Sequence, residues 1–261
     1  MNPRNIGVHA LEHLPAFRAQ VDTREANRVV DVLAATLADA QAFLVPTGLF
    51  NSKTDLARLV GLIKLPAPAI FLETDGGLAL LAMSAALAGV DPQHGDTLIW
   101  PVSRDALSPV ACTFHERDLA EVAETGRLRV TPLLLNPDAA RFLDQADPQT
   151  FFNLYLSTLG ELCALLACRN IHTEVIQAPD RLNRARLGRG KLPFSDYHAL
   201  VVHLTENRRQ GLYGPDGGHA SPRAHLRRGH IRRLPQGPVW VSHCIVNPGR
   251  EWAVKGYRLA A

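Results

Sequence analysis

Apolar positions recur at a helical period through Thr23–Phe43. Val29, Val30, Val32, Leu33, Leu37 and Ala40 form the stripe, and Asp22 or Thr23 supplies an N-cap. A second stripe of Leu56, Leu59, Val60 and Ile63 predicts a helix over Lys53–Lys64, capped by Ser52. Pro66 and Pro68 then end helical structure, because proline lacks the amide donor and clashes with the preceding turn. Beyond them the pattern changes. Ala69–Glu73, Thr97–Pro101, Val110–Phe114 and Arg129–Leu135 are short apolar or β-branched runs, mostly bounded by Gly, Pro, Asp or Asn, as strands are. Gly76–Gly89 has a composition that favours helix, but glycines at both edges leave its state open.

The strongest helical pattern in the second half is Thr150–Arg169. Phe152, Tyr155, Leu156, Leu159, Leu162, Cys163 and Leu166 recur at helical spacing, Asp147-Pro148 opens the element, and Asn170 is a suitable left-handed terminator. His172–Gln177 and Tyr197–Thr205 read as strands, and the Arg-rich stretch 181–193 between them as an exposed loop or short helix. Gly211–Ser221 is a glycine-rich loop, and two strands flank Pro235-Gln236-Gly237 as a hairpin. These elements predict an α+β fold: a helical N-terminal portion, residues 1–65, followed by an α+β region, residues 66–261, whose mixed or antiparallel sheet packs on the Thr150–Arg169 helix. No long linker marks a boundary at residue 65, so one domain is equally compatible with the pattern.

Composition narrows the function classes. A chain of 261 residues with 46% apolar content can bury a sizeable core. The longest apolar segment, Gly76–Val90, is too short and too rich in Ala and Gly for a membrane span. The N-terminus lacks the basic start, apolar middle and small-residue cleavage site of a secretory signal, so the expectation is a cytoplasmic protein with no membrane partner. Cys112, Cys163, Cys168 and Cys244 include no C-x-x-C pair, and Cys163 and Cys168 lie roughly 140° apart around a helix. That spacing argues against zinc and against a disulfide framework; the cysteines read as small core hydrophobes, and no metal or other cofactor is expected.

Charge changes the picture more than composition does. Residues 1–180 hold 13 Lys and Arg against 21 Asp and Glu, and residues 181–261 hold 15 against 4, so an overall charge of +3 hides an acidic front and a strongly basic back. Between Ser221 and Asn247 stand three histidines, five arginines and an apolar run containing Trp240. Fixed cations at that density must lie on a surface or face an anion, since an unpaired buried charge costs several kcal/mol. The apolar run reads as a buried strand, and its neighbour as a basic, imidazole-rich face suited to phosphate.

A metal-independent ribonuclease needs a base, an acid and cations for the crowded phosphate charge. His225 and His230 are the candidate base and acid, and Arg227, Arg228, Arg232 and Arg233 the candidate phosphate clamps, joined by Tyr257 and Arg258. On a regular strand His230 shares a face with Arg228 and Arg232 while His225 points away, unless a bulge at Gly229 intervenes. Catalysis, RNA or anion binding without catalysis, and a structural Arg/His network therefore all stay open. Asn183, Arg186 and Lys191, with Arg181, Arg184 and Arg189, are further phosphate candidates or a solvated loop. His198 and His203 fall on opposite faces of a strand and do not form a metal pair, and His243 reads as a satisfied core residue. The run Arg186–Lys191 lacks the P-loop spacing, and no G-x-S-x-G, H-E-x-x-H or G-x-G-x-x-G occurs. Trp240, Tyr197 and Trp252 are candidate base-stacking residues; core packing is the stronger reading for Trp240, and Trp252 the better stacking candidate.

Two blocks carry a resemblance: Asn183…Arg186…Gly190-Lys191…Pro193…Tyr197, and His225…Arg227-Arg228-Gly229-His230…Arg232-Arg233, closed by a final Gly-Tyr-Arg-Leu. Together, over roughly Phe151–Leu259, they resemble a family of proteins encoded by phages and other mobile elements. That family includes an anti-CRISPR protein directed against a type V nuclease. The resemblance implies an accessory protein acting on translation and messenger RNA, with RNA or the ribosome as one partner and a nascent or folded protein target as another. The rivals are a metal-independent ribonuclease or toxin, and a protein-binding module with no nucleic-acid contact.

Overall fold

The computed structural model describes residues 3–45, 64–119, 128–145, 147–202, 225–227, 230–241 and 244–246. Three helices open the chain: α1 (Ile6–Glu12), α2 (Leu14–Arg18) and α3 (Arg24–Asp39). Thr23 caps α3 by accepting a hydrogen bond from the Ala26 amide at 3.1 Å, and Val30, Leu33, Ala34 and Leu37 form its buried stripe. The helix stops at Asp39, not at Phe43. Ala40 turns extended, and Gln41–Val45 becomes strand β1, with Ala42 to Val45 all buried. Four consecutive apolar residues suit a strand covered on both faces, and here they are covered on both. The N-terminal portion is therefore part helix and part strand, which corrects the expectation that it is helical. The helix expected over Lys53–Lys64 lies, except for Lys64, outside the described residues.

An eight-stranded mixed sheet forms the centre. Its strands are β1, β2 (Ala69–Thr74), β3 (Ala79–Ser84), β4 (Thr97–Val102), β5 (Val110–Phe114), β6 (Thr131–Leu134), β7 (Ile171–Ile176) and β8 (Tyr197–Val202), in the order β6-β5-β4-β3-β2-β1-β8-β7. β1 runs parallel to both neighbours, β2 and β8, and every other pairing in the sheet is antiparallel. The sheet thus crosses residue 65. The undecided stretch Gly76–Gly89 resolves into β3 and a short 3-10 turn, Ala85–Ala88; burial between β2 and β4 overrides the helical leaning of its alanines.

Both faces of the sheet are buried, and strand parity sorts the side chains. Ala42, Leu44, Phe71, Leu81, Met83, Leu98 and Trp100 pack with Ile6, Ala10, Leu11, Phe17, Leu33 and Leu37 from α1, α2 and α3. Phe43, Val45, Ile70, Leu72, Leu80, Ala82, Ile99 and Cys112 point the other way. They cluster with Ala139 of α4 (Asp138–Gln145) and with Phe152, Leu156, Leu159, Leu162 and Cys163 of α5 (Pro148–Leu166). Helix α6 (Asp180–Leu187) crosses between the antiparallel strands β7 and β8.

Two small sheets follow. β9 (His225–Arg227) pairs with β12 (Cys244–Val246), and β10 (His230–Leu234) pairs with β11 (Gly237–Val241) in a hairpin turned at Pro235-Gln236. Gly237 sits at φ +117, a conformation that a side chain strains, so the turn as predicted needs its glycine. The hairpin is tied to the end of α5. The Arg169 amide donates to Pro238 O at 3.0 Å, and the Asn170 side chain both donates to Trp240 O and accepts from the Trp240 amide, each at 2.8 Å. Trp240, 5% exposed, packs with Leu165, Cys168, Ile171, Leu200 and Ile231, as a buried apolar run requires.

Candidate nucleic-acid interface

Helix α6 and the turn after it place cations on two sides of one element. At 100° per residue, Asn183 and Arg186 fall on the side facing the protein, while Arg181 and Arg184 face solvent. Asn183 locks the following loop: its amide donates to Phe194 O at 3.0 Å and its carbonyl accepts from the Phe194 amide at 2.8 Å. Arg186 is more fully engaged. Its Nε donates to Leu192 O at 2.7 Å, its guanidinium lies 4.0 Å from the centre of the Phe194 ring, and Nη2 donates to Glu12 Oε1 at 2.8 Å. Of the three phosphate candidates here, Asn183 and Arg186 thus direct donors at the chain's own groups. Lys191 is half exposed and stands 3.7 Å from the same Glu12 oxygen. Burial works to raise the Glu12 pKa, but Lys191, Arg186 and His9 together bring it below the ordinary carboxylate value.

Arg181, Arg184 and Arg189 are exposed, and their side chains have no hydrogen bond or ion pair to another described residue. Leu182, Leu187 and Leu192 stand exposed among them. The result is an exposed surface of guanidinium groups and aliphatic side chains, with Asn183 and Arg186 hydrogen-bonded on the inner side of the helix. The Ala178 amide closes the base of the crossover by donating to Asp196 Oδ1 at 2.7 Å.

The hairpin sorts its cations by strand parity instead. Register pairs Ile231 with Trp240 and Arg233 with Pro238 on one face, and His230 with Val241 and Arg232 with Val239 on the other. Arg232 and Arg233 are exposed, and His230 is partly buried. His230 and Arg232 share a face, as a strand there requires. His225 and Arg227 belong to β9, opposite Val246 and Cys244, so the stretch 225–234 is two strands in two sheets and not one regular strand. Arg228, Tyr257 and Arg258 lie outside the described residues, as do His203, Gly229, His243 and Trp252.

The two basic segments do not meet along β7 and β8. α6 leaves β7 after Ile176 and enters β8 at Tyr197, whereas the hairpin packs on Ile171 and Leu200 near the other end. Six residues of strand separate those ends, about 17 Å at the usual rise.

A buried polar cluster lies at the other end of α1, where no sequence signal pointed. Glu73, fully buried on β2, accepts hydrogen bonds from the amides of Arg4 and Ile6 (the latter at 2.9 Å) and from the Tyr197 hydroxyl at 2.8 Å. Burial, and then the nearby Glu73 carboxylate, push the Tyr197 phenol well above its ordinary value. Tyr197 is 1% exposed, which removes it as a base-stacking candidate. His198 rests on the Phe43 ring at 5.5 Å, within the sheet. Among the described residues no group of three His, Cys, Asp or Glu side chains is placed to hold a metal ion, and no helix is long and apolar enough to cross a membrane.

No protein-family model, no curated protein and no solved structure matches this chain.

Proposed function

We propose that this chain is an accessory protein of a phage or other mobile element that acts on RNA or on translation, in the manner of an anti-CRISPR factor, and contacts RNA through the basic surface of α6 and the turn that follows. One observation carries the RNA-binding part: Arg181 and Arg184 on α6 and Arg189 in the turn after it are exposed and lack described partners, and the inner side of that helix is locked by Asn183 and Arg186. Exposed guanidinium groups suit phosphate oxygens, because their fork of donors matches them. The surplus of 15 cations over 4 anions in residues 181–261 supports the same reading. In this proposal Lys191, Arg227, Arg228, Arg232, Arg233, Tyr257 and Arg258 extend the contact, Asn183 and Arg186 position it, and the acidic front of the chain recognises a protein target.

The test is binding of a labelled single-stranded oligoribonucleotide as salt is varied. Affinity should fall steeply, and each phosphate contact removed should lower the log–log slope by roughly 0.7. Binding that ignores salt, or none at ~50 mM salt, where phosphate contacts are strongest, rejects the proposal. The common face of His230 and Arg232 keeps a ribonuclease as the second reading. Turnover of the same RNA in EDTA, lost in His230→Gln without a change in melting temperature, would favour it.

A further inference from the structure

We propose that Arg186 and Lys191 form an anion seat that Glu12 occupies in the free protein and that a phosphate group of bound RNA takes over, releasing the C-terminal end of α1. The inference rests on the RNA-binding reading for its natural ligand, and on the geometry of α1 for the seat itself.

A carboxylate stands at each end of α1, Glu73 from β2 at the start and Glu12 of the helix itself at the end, and the two differ in kind. At the N-terminal end Glu73 is fully buried, accepts from two backbone amides and one hydroxyl, and lies where the helix dipole favours negative charge. It has no exchange route with solvent. At the C-terminal end the carboxylate is Glu12 itself, the last residue of the helix, where the dipole disfavours it. Glu12 stays there because two cations face it, Arg186 Nη2 at 2.8 Å and Lys191 Nζ at 3.7 Å from Oε1, and the His9 ring stands beside it with Nδ1 at 3.6 Å from Oε2. Its side chain is 29% exposed and that of Lys191 52%, so solvent anions reach this latch.

The seat persists without Glu12. Arg186 is fixed independently by the Phe194 ring and by Leu192 O, which leaves its outer donors aimed at whatever anion fills the position. His9 borders the same place, edge-on to Phe194 with ring centres 5.6 Å apart. A single, partly exposed carboxylate holds this position. A polyanion drawn in by Arg181, Arg184 and Arg189 presents phosphate at high local concentration and displaces it. Binding at the basic surface then loosens the contact between α6 and α1.

The experiment compares wild type with Glu12→Gln, which keeps size and removes charge, and with Glu12→Gln/Lys191→Ala. Two probes are used: the labelled oligoribonucleotide, and inorganic tripolyphosphate read as a rise in melting temperature. Glu12→Gln should bind RNA about fivefold more tightly, the scale of one exposed ion pair. Its salt slope should stay that of wild type, because the same phosphate contact forms in both proteins and only the competitor is removed. Lys191→Ala on that background should cancel the gain, and tripolyphosphate should stabilise Glu12→Gln more than wild type. If wild type binds RNA and Glu12→Gln binds it with the same affinity, the seat is wrong and the RNA reading stands. If neither binds RNA but tripolyphosphate still favours Glu12→Gln, the seat stands and the RNA reading fails. If neither probe separates the two proteins, the seat is overturned. Should Glu12→Gln melt too early to measure, Glu12→Asp, which withdraws the charge by one methylene, must show a smaller gain of the same sign.

Discussion

The α6 segment and the β10–β11 hairpin are both Arg-rich, yet they distribute their cations by different rules. On α6 the helical period turns Arg186 and Asn183 inward, where they stitch the loop to Phe194, Leu192 and Glu12, and leaves Arg181 and Arg184 outside. On the hairpin the alternation of a strand puts Ile231, Trp240 and Arg233 on one face and His230 and Arg232 on the other. A basic stretch is therefore not a uniform surface. The period of the element it occupies selects which cations turn toward the protein and which face solvent.

The sharpest way to break this comparison is at the hairpin's anchor. Trp240→Ala should cost about 3–5 kcal/mol, measured by urea unfolding, because it empties the core shared with Leu165, Cys168, Ile171 and Leu200. An unchanged midpoint would mean that the hairpin does not depend on this packing. On α6 the matching brace is Asn183. Its replacement by Ala leaves the Phe194 amide and carbonyl without their partner, and should cost about 1–3 kcal/mol while lowering RNA affinity through loss of the loop. A loss of affinity with full stability would place Asn183 in direct contact with ligand instead.

The outer cations should behave in the opposite sense. Arg181→Ala/Arg184→Ala should leave stability within about 0.5 kcal/mol, as exposed substitutions usually do. The same pair should lower the salt slope of RNA binding by roughly 0.7 per lost contact. A large drop in melting temperature would show that these arginines are structural after all.

The smallest expected difference is alkaline. Burial lifts the Cys168 thiol, beneath the hairpin, from 9.0 to about 11. The folded value lies above the unfolded one, so this contribution to stability is complete below pH 9.0 and is lost as pH rises through about 11. Cys163, under the main sheet, shifts in the same direction to about 11. Cys168→Ala should flatten the alkaline fall in the urea midpoint, whereas Arg181→Ala/Arg184→Ala should leave it unchanged. A fall that is equally steep without the Cys168 thiol would assign it to other groups.

Much of the scaffold was legible before the tertiary structure was known. Helix α5, strands β2, β4 and β5, the turn at Pro235-Gln236 and the N-cap Thr23 follow from local period and turn chemistry. β1 was not legible, because its apolar run continues the stripe of α3 without a break, and only pairing with β2 and β8 turns it into strand. β3 was hidden by its alanines, whose helical leaning is overridden by burial between two strands.

The sequence alone required a dense set of cations to face solvent or an anion, favoured a core position for Trp240, and laid out alternating helical and strand periods around a large core. Each of these depends on residue type and near-neighbour spacing. The tertiary structure alone decided that Arg186 faces Glu12, 174 positions away, that Glu73 seals the start of α1 with Tyr197, 124 positions away, and that the two basic segments stand at opposite ends of β7 and β8. The physical reason is that a charge has no preferred partner along the chain. Which opposite charge it meets is set by how the helices pack on the sheet, and that packing is driven by apolar burial that carries no information about the ion pairs it brings together.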